Sequence, residues 1–357
     1  MNKYKFYYKR IININKLKNK STIFKLSVYL CVGIFLLCAY NFGRSNSFGL
    51  SDLAYVNSNN LDVSTSYTQE ADEITELVIN WHSGDITLES TSKSYVYISE
   101  NTESEISSSE KLTLEQNGEV LTINWDSDYN ILNLPDQLQK NLIINIPSTV
   151  ETITIKSENS DIYVSDLDLE SLKVNVDTSN LIVKNCTTEI FDIDLKDGNA
   201  VISDILCSKF DVSSKKANQD LSDIIATDFS SKSTYGDIEI IGNIYNGNIY
   251  SVYGDIDFTS QVVMNELTVN ALVGTVNLSV VENSGFILKT SNGIGEIAIE
   301  DFEITEKDDT QYYKNSYVTN IYTLGTTTGS VNMVQGSFIS DELNYDEYIQ
   351  NLLDEDE

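Results

Sequence analysis

The chain has 357 residues, 41% of them hydrophobic, with only 2 prolines, 4 cysteines and 1 histidine, and a formal net charge of −31. Residues 1–48 hold nine of its 23 basic residues and no acid, which leaves 14 lysines against 54 acids, a formal −40, over residues 49–357. That length allows one large domain or two ordinary ones with a sizeable core. The acidity excludes nucleic acid and repels anionic lipid headgroups, while suiting cations or a basic partner.

The first element is a basic tail, residues 1–22, with seven of those nine basic residues. Residues 23–42 follow as IFKLSVYLCVGIFLLCAYNF, about 20 residues, enough to cross a ~30 Å hydrocarbon core as a helix. The tail's charge orients the N-terminus toward the cytoplasm and the rest outward, in a single-pass topology at a bacterial cell membrane. A cleaved signal peptide is the competing reading. No small-x-small site follows the run, and Phe35, Leu36 and Leu37 before Cys38 do not form a lipobox. The expectation is therefore a retained signal anchor, with Cys31 and Cys38 as apolar filler. Residues 43–73, rich in Ser, Asn and Thr, read as a polar stalk.

From residue 74 the chain reads as a repeat. Its regular copies start at Ile153, Leu172, Phe191, Phe210, Phe229, Gly247, Leu267 and Phe286, at intervals of 18 to 20 residues, and a last copy starts at Tyr322. The first and third positions are mostly apolar, the eighth is always small (Ser160, Ser179, Gly198, Ala217, Gly236, Gly254, Gly274, Gly293, Gly329), and the twelfth is always apolar. Apolar residues two apart mark a strand with one buried face, and the small residue between them marks a tight bend. Nineteen residues are too few for a βαβ unit, so the copies are expected to stack as coils at ~4.8 Å around a continuous apolar column. Residues 74–150 look like looser entry coils, since LVINWHSGDITL from Leu77 fits and INWDSD at 123–128 echoes it. Residues 301–320 are an insertion, 322–335 the last coil, and 341–357 an acidic capping helix or tail.

The ninth position reads Asp161, Asn180, Asn199, Asn218, Asp237, Asp255 over six consecutive copies. Either Asn and Asp merely favour bends there, or their side chains form a hydrogen-bonded ladder.

With SGDI, NSDI and YGDI turns recurring between LxV strands over about residues 74–335, the chain resembles the bacterial "putative adhesin" family of β-strand-repeat ectodomains behind a single membrane helix. The resemblance implies a β-solenoid surface protein and brings no catalytic residues. Together with the repeat it predicts an all-β, single-stacked β-solenoid of ~19-residue coils behind one N-terminal transmembrane helix.

Chemistry is sparse in this sequence. No arginine follows Arg44, and GxSxG, HExxH and paired CxxC motifs are absent. His82 reads as a turn residue. Asp237 and Asp255, at equivalent places on neighbouring coils, are weak calcium candidates, with solvated turn aspartates the plainer reading. Cys186 and Cys207, 21 residues apart, are either a disulfide between adjacent coils or two buried thiols. Tyr235, Tyr245, Tyr250 and Tyr253 are either contact residues for a carbohydrate or protein, or outward residues favoured by β-propensity. No cofactor is expected.

The functional expectation is a non-enzymatic, membrane-anchored surface protein for binding, envelope scaffolding or self-association, toward an envelope glycan or protein. An envelope-stress accessory that senses wall components is the alternative, and a solenoid carbohydrate-active enzyme a third class.

Overall fold

The computed structural model describes residues 63–336, apart from 104, 109, 126–139, 261, 263, 282, 284, 308–309 and 315–317. The chain divides into units 1–59 and 60–357, and the described residues belong to the second. The expected basic tail, the anchor at 23–42, residues 43–62 of the stalk and the acidic segment 341–357 lie outside them. Every regular element among the described residues is a strand, and no helix there is long and apolar enough to cross a membrane.

Each repeat is one coil, paired in parallel with its neighbours. Leu172 lies in register with Ile153 and Leu181 with Ile162, and Leu221 with Ile240 on the same 19-residue period. Phe191, Phe210 and Phe229 stack face to face at 4.8 Å, ring on ring, which is one strand spacing. The inward positions form one continuous core from Ala71 to Met333. Burying each Val, Ile, Leu or Phe there contributes about 1.5–3 kcal/mol. Gln219, at a tenth position held elsewhere mostly by aliphatic residues, is also buried. It is satisfied inside: its Nε2 donates to Ser214 Oγ at 2.9 Å and to the Lys232 carbonyl at 2.8 Å, and it accepts from Ser231 Oγ at 2.7 Å.

The small eighth position has a steric cause. At Gly198, with φ 128°, an added Cβ would stand 1.8 Å from the Ser179 carbonyl oxygen, and at Gly254 it would stand 2.2 Å from that of Gly236. At these glycines the coil turns directly over the carbonyl of the coil beneath and leaves no room for a side chain, whereas Ser160, Ser179 and Ala217 take the same place without a positive φ. A second bend lies six residues later, where Asp166, Asn185, Asp204 and Asp223 all adopt φ between 51° and 59°. Asn and Asp tolerate this left-handed conformation, and they recur in the sequence at the same 19-residue period.

The coils do not stack in sequence order. At the start, Leu77 pairs with Leu121 on one side and Ile153 on the other, so coil 76–91 lies inside strands Val120–Trp125 and Asn141–Pro147. At the other end, Leu267 pairs with Tyr322 and Tyr322 with Leu288. The last coil in sequence, 321–335, is thus inserted beneath coil 287–299, which is outermost. This corrects the expected sequential stacking. The insertion is the return path, and it carries an antiparallel hairpin, Ile304–Lys307 with Thr310–Tyr313.

The expected register of that outermost coil is corrected by two residues: Leu288, not Phe286, matches Tyr322, and Ile299, not Ile297, matches Met333. Gly295 takes the bend expected at Gly293, its Cβ position 1.8 Å from the Gly329 carbonyl oxygen. A two-residue slip keeps every side chain on its face, so the apolar rhythm alone cannot detect it. Phe286 is freed to pack among Phe302, Tyr313 and Tyr322.

The N-terminal end is closed by antiparallel strands. Thr113–Asn117 pairs with Val120–Trp125, Tyr95–Thr102 with Asn141–Pro147, and Val63–Glu70 with Tyr95–Thr102. Residues 63–70, expected in the stalk, are therefore part of the domain.

Candidate functional site

The ninth position is hydrogen-bonded from coil to coil in two runs, Asp161 to Asn199 and Asn218 to Thr275, with side-chain to side-chain rungs in the first and backbone N–H donors in the second. The Asn180 backbone N–H donates to Asp161 Oδ1 at 2.8 Å, and the Asn199 side-chain amide to Asn180 Oδ1 at 3.3 Å. The Asp237 N–H donates to Asn218 Oδ1 at 3.0 Å, that of Asp255 to Asp237 Oδ1 at 2.8 Å, and that of Thr275 to Asp255 Oδ1 at 2.7 Å. Asp237 and Asp255 are thus brought together, each holding the bend above it. Among the described residues no three His, Cys, Asp or Glu side chains are grouped so as to hold a metal ion.

Cys186 and Cys207 are buried and free. Their 21-residue separation is one period plus two, so Cys186 shares its column with Leu167 and Ile205 while Cys207 lies two residues further along. That offset separates their Cα atoms by about 8 Å, beyond disulfide reach. Burial pushes the Cys186 thiol up to about 11 and that of Cys207 to about 12.

His82 lies within strand Glu76–Ser83, its Nδ1 3.0 Å from Glu158 Oε2 and its ring edge-on to Trp125. Beside it is a buried cluster that sequence reasoning missed. The Lys140 ammonium lies over the Trp125 and Trp81 rings, 4.2 and 5.1 Å from their centroids. It is ion-paired with Glu100 and donates to the Glu110 carbonyl at 2.7 Å. The Trp81 indole N–H donates to the Lys140 carbonyl at 2.9 Å, and the Leu112 N–H to Glu100 Oε1 at 3.1 Å. Burial holds the Lys140 ammonium below its ordinary pKa, against the pull of Glu100. The cluster ties the end strands to the first two coils; no local pattern announces it, because its parts lie up to 59 residues apart.

The exposed face changes character along the solenoid. Across the stacked coils the seventh position runs Asn159, Thr178, Asp197, Lys216, then Tyr235, Tyr253, Val273, Thr328, Ile294. Tyr235 and Tyr253 are each 47% exposed, Leu272 and Val273 39%, and Ile294 72%. The two tyrosine rings stack at 5.1 Å, 4° from parallel. Tyr250 is also exposed, three residues before Tyr253, and Tyr245 lies in the connector, so only two of the four tyrosines come together. Because those two rings cover each other's faces, the pair offers ring edges more than a platform for sugar stacking. The result is a ledge about 19 Å long, five coils at strand spacing, apolar or aromatic in four of them and interrupted by the exposed Thr328. Beside it, across the bend, stand Asp237, Asp255 and Glu296. A shallow depression of about 210 Å³ lies on the next outward face, lined by Asp257, Asn277, Asn332 and Val334 among others. It is smaller than the 300–1,000 Å³ usual for a small-molecule site.

Residues 74–333, nearly the whole described solenoid, match the family described as Toastrack DUF4097. The chain belongs to the Toastrack family. The resemblance to "putative adhesin" ectodomains read from the turns agrees with its structural neighbours. A "putative adhesin" from Parabacteroides merdae is 12% identical, covering 77% of this chain and 97% of that one, with a TM-score of 0.46. One from Bacteroides fragilis is 14% identical, covering 77% and 98%, with a TM-score of 0.39. A "Putative lipid binding protein" from Parabacteroides distasonis is 15% identical, covering 77% and 97%, with a TM-score of 0.40. No curated protein matches the chain. The Toastrack domain here is all-β across its described residues, and its exposed ledge lies in the half nearest the outermost coil.

Proposed function

We propose that this Toastrack protein is a non-enzymatic surface protein, held in a bacterial cell membrane through residues 23–42, whose acidic solenoid binds a partner outside the cell along its lateral face. The observation that carries the reading is the ledge of Tyr235, Tyr253, Leu272, Val273 and Ile294. Exposed contiguous apolar surface rimmed by polar residues is the usual mark of an interaction face. The same columns in the preceding coils hold Asp177, Lys196, Asp197, Lys215 and Lys216, so the apolar run is a local departure from a polar pattern. Family membership and the structural role of the ninth-position carboxylates support a binding reading over catalysis.

The test is retention of envelope protein and glycan fractions by the full-length chain and by a Tyr235→Ser/Tyr253→Ser/Val273→Ser variant. The expected result is at least a tenfold loss in the variant with an unchanged thermal midpoint. Equal retention would sink the proposal. So would breakdown of an envelope polysaccharide that Asp237→Asn abolishes, because that substitution keeps the ladder's acceptor oxygen while removing an acid.

A further inference from the structure

We infer that the ledge receives a cationic amphipathic helix of a partner protein, lying along the solenoid axis. This rests on the binding reading above and names the chemistry of its partner. Two features of the surface select this occupant.

The first is spacing. The ledge offers one outward residue per coil at about 4.8 Å, and a helix offers one apolar residue per turn at about 5.4 Å. Over the four steps from Tyr235 to Ile294 the mismatch accumulates to only about 2 Å, which side-chain rotamers absorb. An extended strand laid along the same axis repeats its facing side chains at about 6.8 Å and would be out of register by about 8 Å over the same four steps.

The second is charge. Asp237, Asp255 and Glu296 line the far side of the bend, all exposed, with Glu239 and Asp257 behind Asp237 and Asp255. Lys232 and Lys289 stand on the outward strand positions beside the ledge, and Lys215 and Lys216 on the coil before Tyr235. The rim across the bend is therefore the acidic one, on an ectodomain that already carries a formal −40. It matches Lys or Arg flanking a helix's apolar stripe, and it opposes both a second copy of this chain and an anionic lipid surface.

The ninth position allows charge to be separated from structure. Asp237 and Asp255 each use Oδ1 to accept a backbone N–H from the coil above. Asn retains that oxygen, so Asp237→Asn/Asp255→Asn removes two charges and leaves the ladder acceptors. Asp192 and Asp194, exposed on a coil without the ledge, supply the matched control.

The experiment measures binding of a fluorescent 22-residue Leu/Lys amphipathic helical peptide to the full-length chain in phosphocholine nanodiscs at 0.15 M salt, with empty discs as the blank. The expected result is at least tenfold weaker binding to Tyr235→Ser/Tyr253→Ser/Val273→Ser, and at least fivefold weaker binding to Asp237→Asn/Asp255→Asn. Asp192→Asn/Asp194→Asn should change it less than twofold, and a scrambled peptide of equal charge without an apolar face should bind at least tenfold more weakly. Equal losses in the control variant, or equal binding of the scrambled peptide, would show diffuse charge attraction and overturn the inference. A Leu/Glu peptide captured at the ledge would overturn the cationic partner while keeping the ledge as a binding face. A dimer in sedimentation that the ledge variant abolishes would make the occupant a second copy and overturn it likewise. Failure of every peptide, with envelope retention still lost in the ledge variant, overturns this inference alone; failure of both overturns the proposed function as well.

Discussion

The Asn332 side-chain amide donates to Asn277 Oδ1 at 2.7 Å although 55 residues separate them. Between the two in sequence lies a whole coil, 287–299, which in space lies beyond Asn332. The Toastrack solenoid is thus closed at this end by a coil that precedes its neighbour in the chain. The same exchange occurs at the start, where strands Val120–Trp125 and Asn141–Pro147 lie outside coil 76–91.

Cross-linking tests this order. With the native cysteines replaced by alanine, Asn277→Cys/Asn332→Cys should form a disulfide in the folded protein, since the two residues are directly paired. Asn277→Cys/Ala298→Cys should not, because Asn332 intervenes between them. Sequential stacking requires the opposite result, read by non-reducing electrophoresis after digestion.

The inward register makes a second prediction. Val183 and Ile202 are fully buried, so an aspartate at either leaves an unpaired carboxylate in the core and should destabilise the domain by about 4 kcal/mol or more. Ile182, one residue away and facing outward, should tolerate aspartate with a loss of about 1 kcal/mol. Urea denaturation reads the difference, and equal losses at all three positions would refute the register.

Lys140 and Glu100 are both buried, and each is the other's counter-ion. Lys140→Met should cost about 3–5 kcal/mol, chiefly by leaving Glu100 buried and unpaired. Adding Glu100→Leu should recover much of that loss, since a pair replaced by apolar residues of similar volume is often neutral. Additive losses in the double variant would mean that the two side chains act separately.

The thiols predict a pH dependence. Burial raises Cys186 to about 11 and Cys207 to about 12, against ~8.5 for an unfolded cysteine. The fold favours the neutral thiol, so its contribution is intact below pH 8.5 and is lost as the pH climbs through 11 and 12. Between pH 8 and pH 10 each thiol should cost about 2 kcal/mol. Cys186→Ala/Cys207→Ala should flatten that decline by about 4 kcal/mol in urea titrations at the two pH values, and parallel curves would remove the thiols as its cause.

By itself the sequence determined the 19-residue period, the all-β class, the inward residues such as Val174, Val183 and Ile202, and the small residue at the tight bend of every regular coil except the outermost. These follow from alternation of side chains and from steric demands within one turn, which are local. Tyr235 and Tyr253 were also visible as exposed aromatics, but not that they stack in one column with Val273 and Ile294. The tertiary structure alone decided the order of the coils, the two-residue slip at Leu288, the rungs of the ladder and the Lys140–Glu100 pair. The reason is that every coil offers the same strand edges and the same apolar inner face, so the repeat pattern permits any coil to stack on any other. Which coil lies outermost depends on the pieces that close the ends: the strands at 63–70, 95–102 and 113–117, and the hairpin that packs on Phe286. The ledge follows from that choice, because coil order places Ile294 beyond Thr328 in the column that begins at Tyr235.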